Sequence, residues 1–217
     1  MDEIVLVDYD PRWPEMFSQE AETLRRILAP SLLLRVEHFG STSVPGLMAK
    51  PIIDILAGVS SLEAARRDAV PALEELGYSY WAANPDIKHM FLVKGLPPNG
   101  PRTHHIHMVT QDHPLWERLL FSDYLRRHPD DAQRYASLKK NLMAQYPDDR
   151  EAYTQGKTEF VAEVMRMARA EQHEPQSLAE FLGDFIGCIE GSGGNNSENT
   201  GEKYSAHLVD NHKEHHL

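Results

Sequence analysis

Apolar and polar positions change their period several times along the first half of the chain. Residues 3–8 (EIVLVD) alternate, which predicts a short strand. Asp10-Pro11 then opens a helix in which Trp13, Phe17, Leu24, Ile27 and Leu28 are spaced for one apolar face, and Pro30 ends it. Residues 32–39 (LLLRVEHF) suit a strand, and 40–50 (GSTSVPGLMAK) form a turn-rich connection. Residues 51–59 (PIIDILAGV) are an apolar run of strand length broken by one Asp. A helix fits 61–76, where Pro71 demands a kink or a break, and short strands are predicted at 78–81, 88–94 and 103–110.

Beyond residue 113 the spacing becomes helical: 114–127, 130–145 and 149–170 are separated by His128-Pro129 and Pro147-Asp148. Strands first and helices afterwards predict an α+β domain over residues 1–171, a mixed sheet flanked by the helices of the C-terminal half. Residues 172–217 read as an appendage. Within it 177–190 (SLAEFLGDFIGCIE) fits a short amphipathic helix expected to dock on the body or on another subunit. Residues 191–202 (GSGGNNSENTGE) have linker composition, and His212, His215 and His216 are adventitious metal-binding groups.

Composition narrows the classes. With 217 residues, 41% hydrophobic and 25% charged, the chain can bury a core, which excludes disorder throughout. Cys188 stands alone, excluding an internal disulfide framework and any thiolate-cluster metal site. No window approaches the roughly 18 apolar residues of a membrane helix, and the acidic start MDEIVLVDYD is unlike a secretory signal, so a cytoplasmic protein is expected. The net charge of −11 falls as −6 on residues 172–217 and −5 on residues 1–171. That leaves no basic face for duplex nucleic acid and allows a local basic pocket for one nucleotide.

Two stretches carry candidate chemistry. A strand ending in Gly40-Ser41-Thr42-Ser43 presents backbone N–H groups and hydroxyls suited to a phosphate, and Lys50 adds a positive charge. Asp54 lies inside an apolar strand, where an ionised carboxylate needs a cation or a cationic side chain. The same residues also fit an ordinary Pro45-Gly46 turn and a carboxylate capping backbone groups. In Arg102-Thr103-His104-His105-Ile106-His107-Met108, strand alternation puts His105 and His107 on one face and His104, Ile106 and Met108 on the other. The pair suits acid–base work, metal binding or one core and one solvated histidine; Asp54 on a neighbouring strand would make the three converge. On the later helices Phe121, Tyr124 and Leu125 read as a packed face, and Arg126, Lys139 and Lys157 as solvated surface.

VEHFGSTSVPGLMAKPIIDI (36–55) closely resembles the signature of the GrpB family, a branch similar to the DNA polymerase beta-like nucleotidyltransferases. Tyr9 and Trp13, THHIHMV, FSDYLRRHP with Tyr135 and Lys139, and Tyr153 with Lys157 follow the same pattern over residues 4–168. The resemblance implies a small nucleotidyltransferase-like mixed sheet flanked by helices. Gly40-Ser41 matches the superfamily's phosphate-holding turn, and Asp54 the first of two metal-binding strand carboxylates. Leu56 stands in place of the second, with His105 and His107 as substitutes, and Ser122 stands where the family more usually has Arg.

The function so implied is nucleotidyl transfer from a nucleoside triphosphate to an unknown acceptor. Gly40, Ser41, Thr42 and Ser43 would hold phosphate, Asp54 would bind Mg²⁺ alone or with His107, Lys50 would neutralise developing charge, and His105 would act as acid or base. Two alternatives stay open: a non-catalytic module binding a nucleotide or another phosphorylated small molecule, favoured by Leu56, and a single-metal phosphohydrolase using Asp54, His105 and His107.

Overall fold

The computed structural model describes residues 4–96 and 100–173. Helix α1 (Trp13–Ile27) leads into strand β1 (Leu33–Phe39), one 3₁₀ turn (Ser41–Ser43) and β2 (Ile53–Val59). Strands β3 (Tyr78–Tyr80), β4 (Met90–Lys94) and β5 (His104–Val109) follow a helical segment, giving one sheet in the order β1-β2-β5-β4-β3. Only β2 and β5 run parallel; the other pairs are antiparallel, so the sheet is mixed. The architecture is α+β, as the order of periods predicts.

Alternation along β2 and β5 sorts the two faces. Ile53, Ile55 and Ala57 on β2 and Ile106 and Met108 on β5 pack with Trp13 and Leu24 of α1 and with Leu73 of the helical segment, all of them buried. Burial of this apolar surface, at about 25 cal/mol per Å², is the main force holding α1 to the sheet. The intervening positions face the other way. There Leu56, Phe39 and Val109 are capped by Leu115, Trp116 and Leu119.

That second face is roofed by the helical half: α4 (Arg118–Arg127), α5 (Pro129–Gln145), α6 (Arg150–Gln155) and α7 (Thr158–His173). Phe121, Tyr124 and Leu125 of α4 pack with Tyr135 of α5, with Val164 and Met165 of α7, and with Val44 and Leu47 after the 3₁₀ turn. The packed face expected for α4 is therefore present.

Three elements differ from expectation. The segment at 3–8 makes one bridge, Val7 with Ala49, because its apolar residues go elsewhere: Ile4 is buried with Leu142 and Tyr153. Across 61–76 the helix continues through Pro71, with a widened turn before it in place of a break. It runs as α2 (Leu62–Ala64), widens to a π turn over Ala65–Ala69 and re-enters α3 (Val70–Glu74), which accommodates a ring that would strike the carbonyl four residues back in a regular α-helix. The helix expected over 149–170 is split at Gly156-Lys157 into α6 and α7. No helix among the described residues is long and apolar enough to cross a membrane. The appendage expected at 172–217 enters the described residues only as the last turn of α7, and its helix at 177–190 lies outside them.

Candidate functional site

The site begins where β1 ends. Phe39 pairs with Asp54 across the β1–β2 ladder, and the next residue, Gly40, takes φ +74° and ψ −171°, a region open essentially to glycine alone. A Cβ on Gly40 would lie 2.7 Å from Asp54 Oδ2, so glycine is required both for the turn and for the carboxylate beside it. On the other side of β2 the parallel register sets Asp54 opposite His105 and Leu56 opposite His107.

Asp54, His105 and His107 therefore share one face and converge. His105 Nδ1 lies 3.1 Å from Asp54 Oδ1, and one donor atom from each of the three residues lies within 4.8 Å of the others. His107 Nδ1 is 2.8 Å from Nε2 of His89, whose ring stacks on it at 4.9 Å. The remaining nitrogen of His105, Nε2, is buried without a hydrogen-bond partner, so a proton-transfer role for His105 runs only through Nδ1. His104 faces away, buried on the α1 side where Lys94 Nζ sits 3.0 Å from both carboxylate oxygens of Glu20.

These groups open into a cavity of about 410 Å³ lined also by Gly40, Ser41, Thr42, Lys50, His89, Arg118, Tyr135, Lys139, Tyr153 and Lys157. Of the four residues expected at phosphate, only Ser41 points a hydroxyl toward a cationic group, 3.3 Å from Lys139 Nζ. Thr42 Oγ1 donates to the carbonyl of Ile52, and Ser43, which does not line the cavity, donates Oγ to the carbonyl of Gly40. Thr42 and Ser43 thus spend their hydroxyls on holding the turn.

Lys139 and Lys157 correct the expectation of solvated surface. Lys139 is 2% exposed and donates to the carbonyl of Met48. Each lies over the ring of the tyrosine four residues earlier, Lys139 at 4.7 Å from Tyr135 and Lys157 at 4.5 Å from Tyr153, while Lys50 lies 5.0 Å from that second ring. The repeated Tyr-x-x-x-Lys spacing belongs to the pattern that carries the family resemblance, and helical spacing alone gave it no meaning. Arg126, by contrast, stays outside the lining and donates to the carbonyl of Ser43. Ser122 is fully buried with its hydroxyl unpartnered, and the arginine that reaches the cavity from α4 is Arg118, one turn earlier. His89 and Arg118 carried no local signal.

Burial drives the electrostatics. It pushes Lys139 down to about 7, helped by the charges of Lys157 and Lys50, and Lys50 down to about 8, helped by Lys157 and Arg150. Lys157 is lowered in the same way. Burial pushes Asp54 up, but the hydrogen bond with His105, with Lys50 adding to it, outweighs that and holds the carboxyl below its ordinary value. Burial lowers His107 to about 3, so at neutral pH its imidazole is uncharged. A carboxylate, two imidazoles and a group of cations can together accept a metal ion and a phosphorylated anion.

The model of the family described as "GrpB protein" matches residues 3–167. The chain is 49% identical over 179 residues to the UPF0157 protein PA4798 of Pseudomonas aeruginosa, covering 80% of this chain and 71% of that one. It is 36% identical over 165 residues to the glutamate-rich protein GrpB of Alkalihalophilus pseudofirmus, covering 75% and 94%. The crystal structure of the conserved protein GrpB from Enterococcus faecalis superposes with a TM-score of 0.70 at 36% identity, over 78% of this chain and 100% of that one. The signature at 36–55 and the sheet that carries it thus have one meaning: the chain belongs to the GrpB family.

Proposed function

We propose that the chain binds a nucleoside triphosphate in this cavity beside one divalent cation and transfers its nucleotidyl group to an acceptor. The observation that carries the reading is the gathering of Lys50, Lys139, Lys157 and Arg118 around the single carboxylate of Asp54. Buried lysines that depress one another's pKa are unfavourable in the free protein, and a polyanionic ligand offsets that cost. In this reading Ser41 and the amides of the Gly40 turn contact phosphate oxygens, the lysines and Arg118 neutralise developing charge, and His105 Nδ1 carries a proton. Mg²⁺ is the ion the nucleotidyltransferase-like fold implies; a divalent cation at Asp54 and His107 would supply charge neutralisation at the transferred phosphoryl group.

A second reading, a nucleotide- or phosphate-binding module without turnover, is favoured by Leu56, which fills the second carboxylate position and is fully buried under Leu115 and Trp116. The test is calorimetry of the folded full chain with each common nucleoside triphosphate and Mg²⁺ or Mn²⁺, followed by product analysis. Binding with pyrophosphate release that Asp54→Asn abolishes supports transfer. Release of inorganic phosphate alone assigns a single-metal phosphohydrolase, and binding without turnover the module. No binding of any triphosphate removes the transfer reading.

A further inference from the structure

The donor set beside the cavity does not fit the ion that the fold implies. Mg²⁺ prefers oxygen ligands in near-octahedral geometry and is usually held by one or two carboxylates plus water and phosphate. Here one carboxylate, Asp54, is accompanied by two imidazoles, and the neighbouring strand position that would face the same ion carries Leu56, packed against Phe39 and Val109. Paired imidazoles with a carboxylate are the ligands of divalent first-row transition metals.

We infer that Asp54, His105 and His107 form a mononuclear site for a transition-metal ion of the Mn²⁺ to Zn²⁺ series. The inference deepens the proposed function by naming the ion, and rests on that function only for what the ion does there.

Three features carry it. First, two of the three donors already stand at ligand spacing: two atoms each about 2.1 Å from one ion are about 3.0 Å apart at a right angle and about 3.4 Å apart at the tetrahedral angle. Asp54 Oδ1 and His105 Nδ1 are 3.1 Å apart. Second, the spacing is fixed by backbone, because Asp54 and His105 are partners in the β2–β5 register and His107 is two residues along the same strand. Third, His107 has the support that metal-bound histidines have: its Nδ1 is engaged by His89 Nε2 at 2.8 Å, which fixes the ring and leaves Nε2 for an ion. The inference moves His105 from acid or base to ligand, and makes His89 a positioning residue.

The test is metal titration of the full chain, purified without a tag and stripped with chelator, in the absence of nucleotide. His212, His215 and His216 are replaced by alanine in the reference protein, because that tail can bind transition ions by itself. The expected result is one Co²⁺ per chain with a visible ligand-field spectrum. Asp54→Asn, His105→Gln and His107→Gln should each weaken Co²⁺ at least 10-fold with the circular dichroism unchanged. His89→Phe should weaken it 10- to 100-fold and alter the spectrum, a change that a purely structural role would not produce.

Should a ligand variant fail to fold, proton NMR of the Co²⁺-loaded reference protein decides, since two histidine ligands give two strongly shifted exchangeable imidazole signals. Co²⁺ affinity indifferent to both histidines, or a loaded spectrum without those signals, overturns the site while leaving triphosphate binding to be judged separately. Intact Co²⁺ binding with no affinity for any triphosphate leaves the site standing and removes the proposed function.

Discussion

At the scale of single residues, Gly40 and Lys139 show opposite ways in which this cavity constrains sequence. Alanine at Gly40 would have to hold φ +74° and place its Cβ 2.7 Å from Asp54 Oδ2. The backbone alone costs of order 1–3 kcal/mol. For a chain of this size each kcal/mol lowers the melting temperature by about 2–4 °C. Gly40→Ala should therefore melt at least 2 °C lower and, with the carboxylate displaced, lose most of its Co²⁺ affinity; melting and metal titration on one sample check both. Lys139 is the reverse case. It is 2% exposed, and its charged neighbours Lys157 and Lys50 repel it. Lys139→Met should melt higher than wild type in the absence of ligand and bind inorganic triphosphate at least 10-fold more weakly. A variant that melts lower would show that the contacts of the ammonium with Met48 and Ser41 outweigh its burial.

Among the elements, β2 and β5 make the site, and they show what local pattern reveals and what it conceals. The single Asp in an apolar run and the shared face of His105 and His107 are legible because side chains alternate along any strand. That β5 pairs with β2, across 51 residues of sequence between Asp54 and His105, is not legible, since no local period encodes which strands become neighbours. For the same reason Lys139 and Lys157 read as surface: helical spacing groups residues on a face without saying what that face meets. The strand expected at 3–8 failed differently, because alternation promises two faces but not a ladder, and Ile4 found its burial among helices. Position 56 allows a direct test at this scale. Leu56→Asp would create an Asp-x-Asp spacing on β2, but the side chain is fully buried against Phe39, Val109, Leu115 and Trp116. An unpaired acid there costs several kcal/mol. Leu56→Asp should therefore unfold at markedly lower denaturant and gain no second metal ion, with urea unfolding and metal stoichiometry as the measurements.

For the whole molecule, the decisive contrast is between a chain of net charge −11 and a cavity whose charges are mostly positive. Lys139 titrates near 7 and Lys50 near 8 in the folded state, against an ordinary 10.5. Between about pH 7 and 10.5 the unfolded chain thus holds protons that the folded chain has released, and stability must rise with pH wherever the unfolded state binds more protons. The ligand-free protein should accordingly become more stable from pH 7 to 9, and Lys139→Met should flatten that rise, which isolates the lysine from other groups titrating there. A bound triphosphate reverses the preference, because it favours the protonated lysines. Binding must then take up protons, and affinity must fall as pH rises through the same interval. At 100 times its dissociation constant a ligand adds about 2.7 kcal/mol to stability. That corresponds to about 5–10 °C here. With inorganic triphosphate held at one concentration, the shift should be largest near pH 7 and shrink by pH 9, and calorimetry in two buffers of different ionisation enthalpy should show proton uptake. A shift that grows with pH, or binding without proton exchange, would mean that Lys50 and Lys139 stand aside from the ligand and that the anion is held by Arg118, Lys157 and the metal ligands alone.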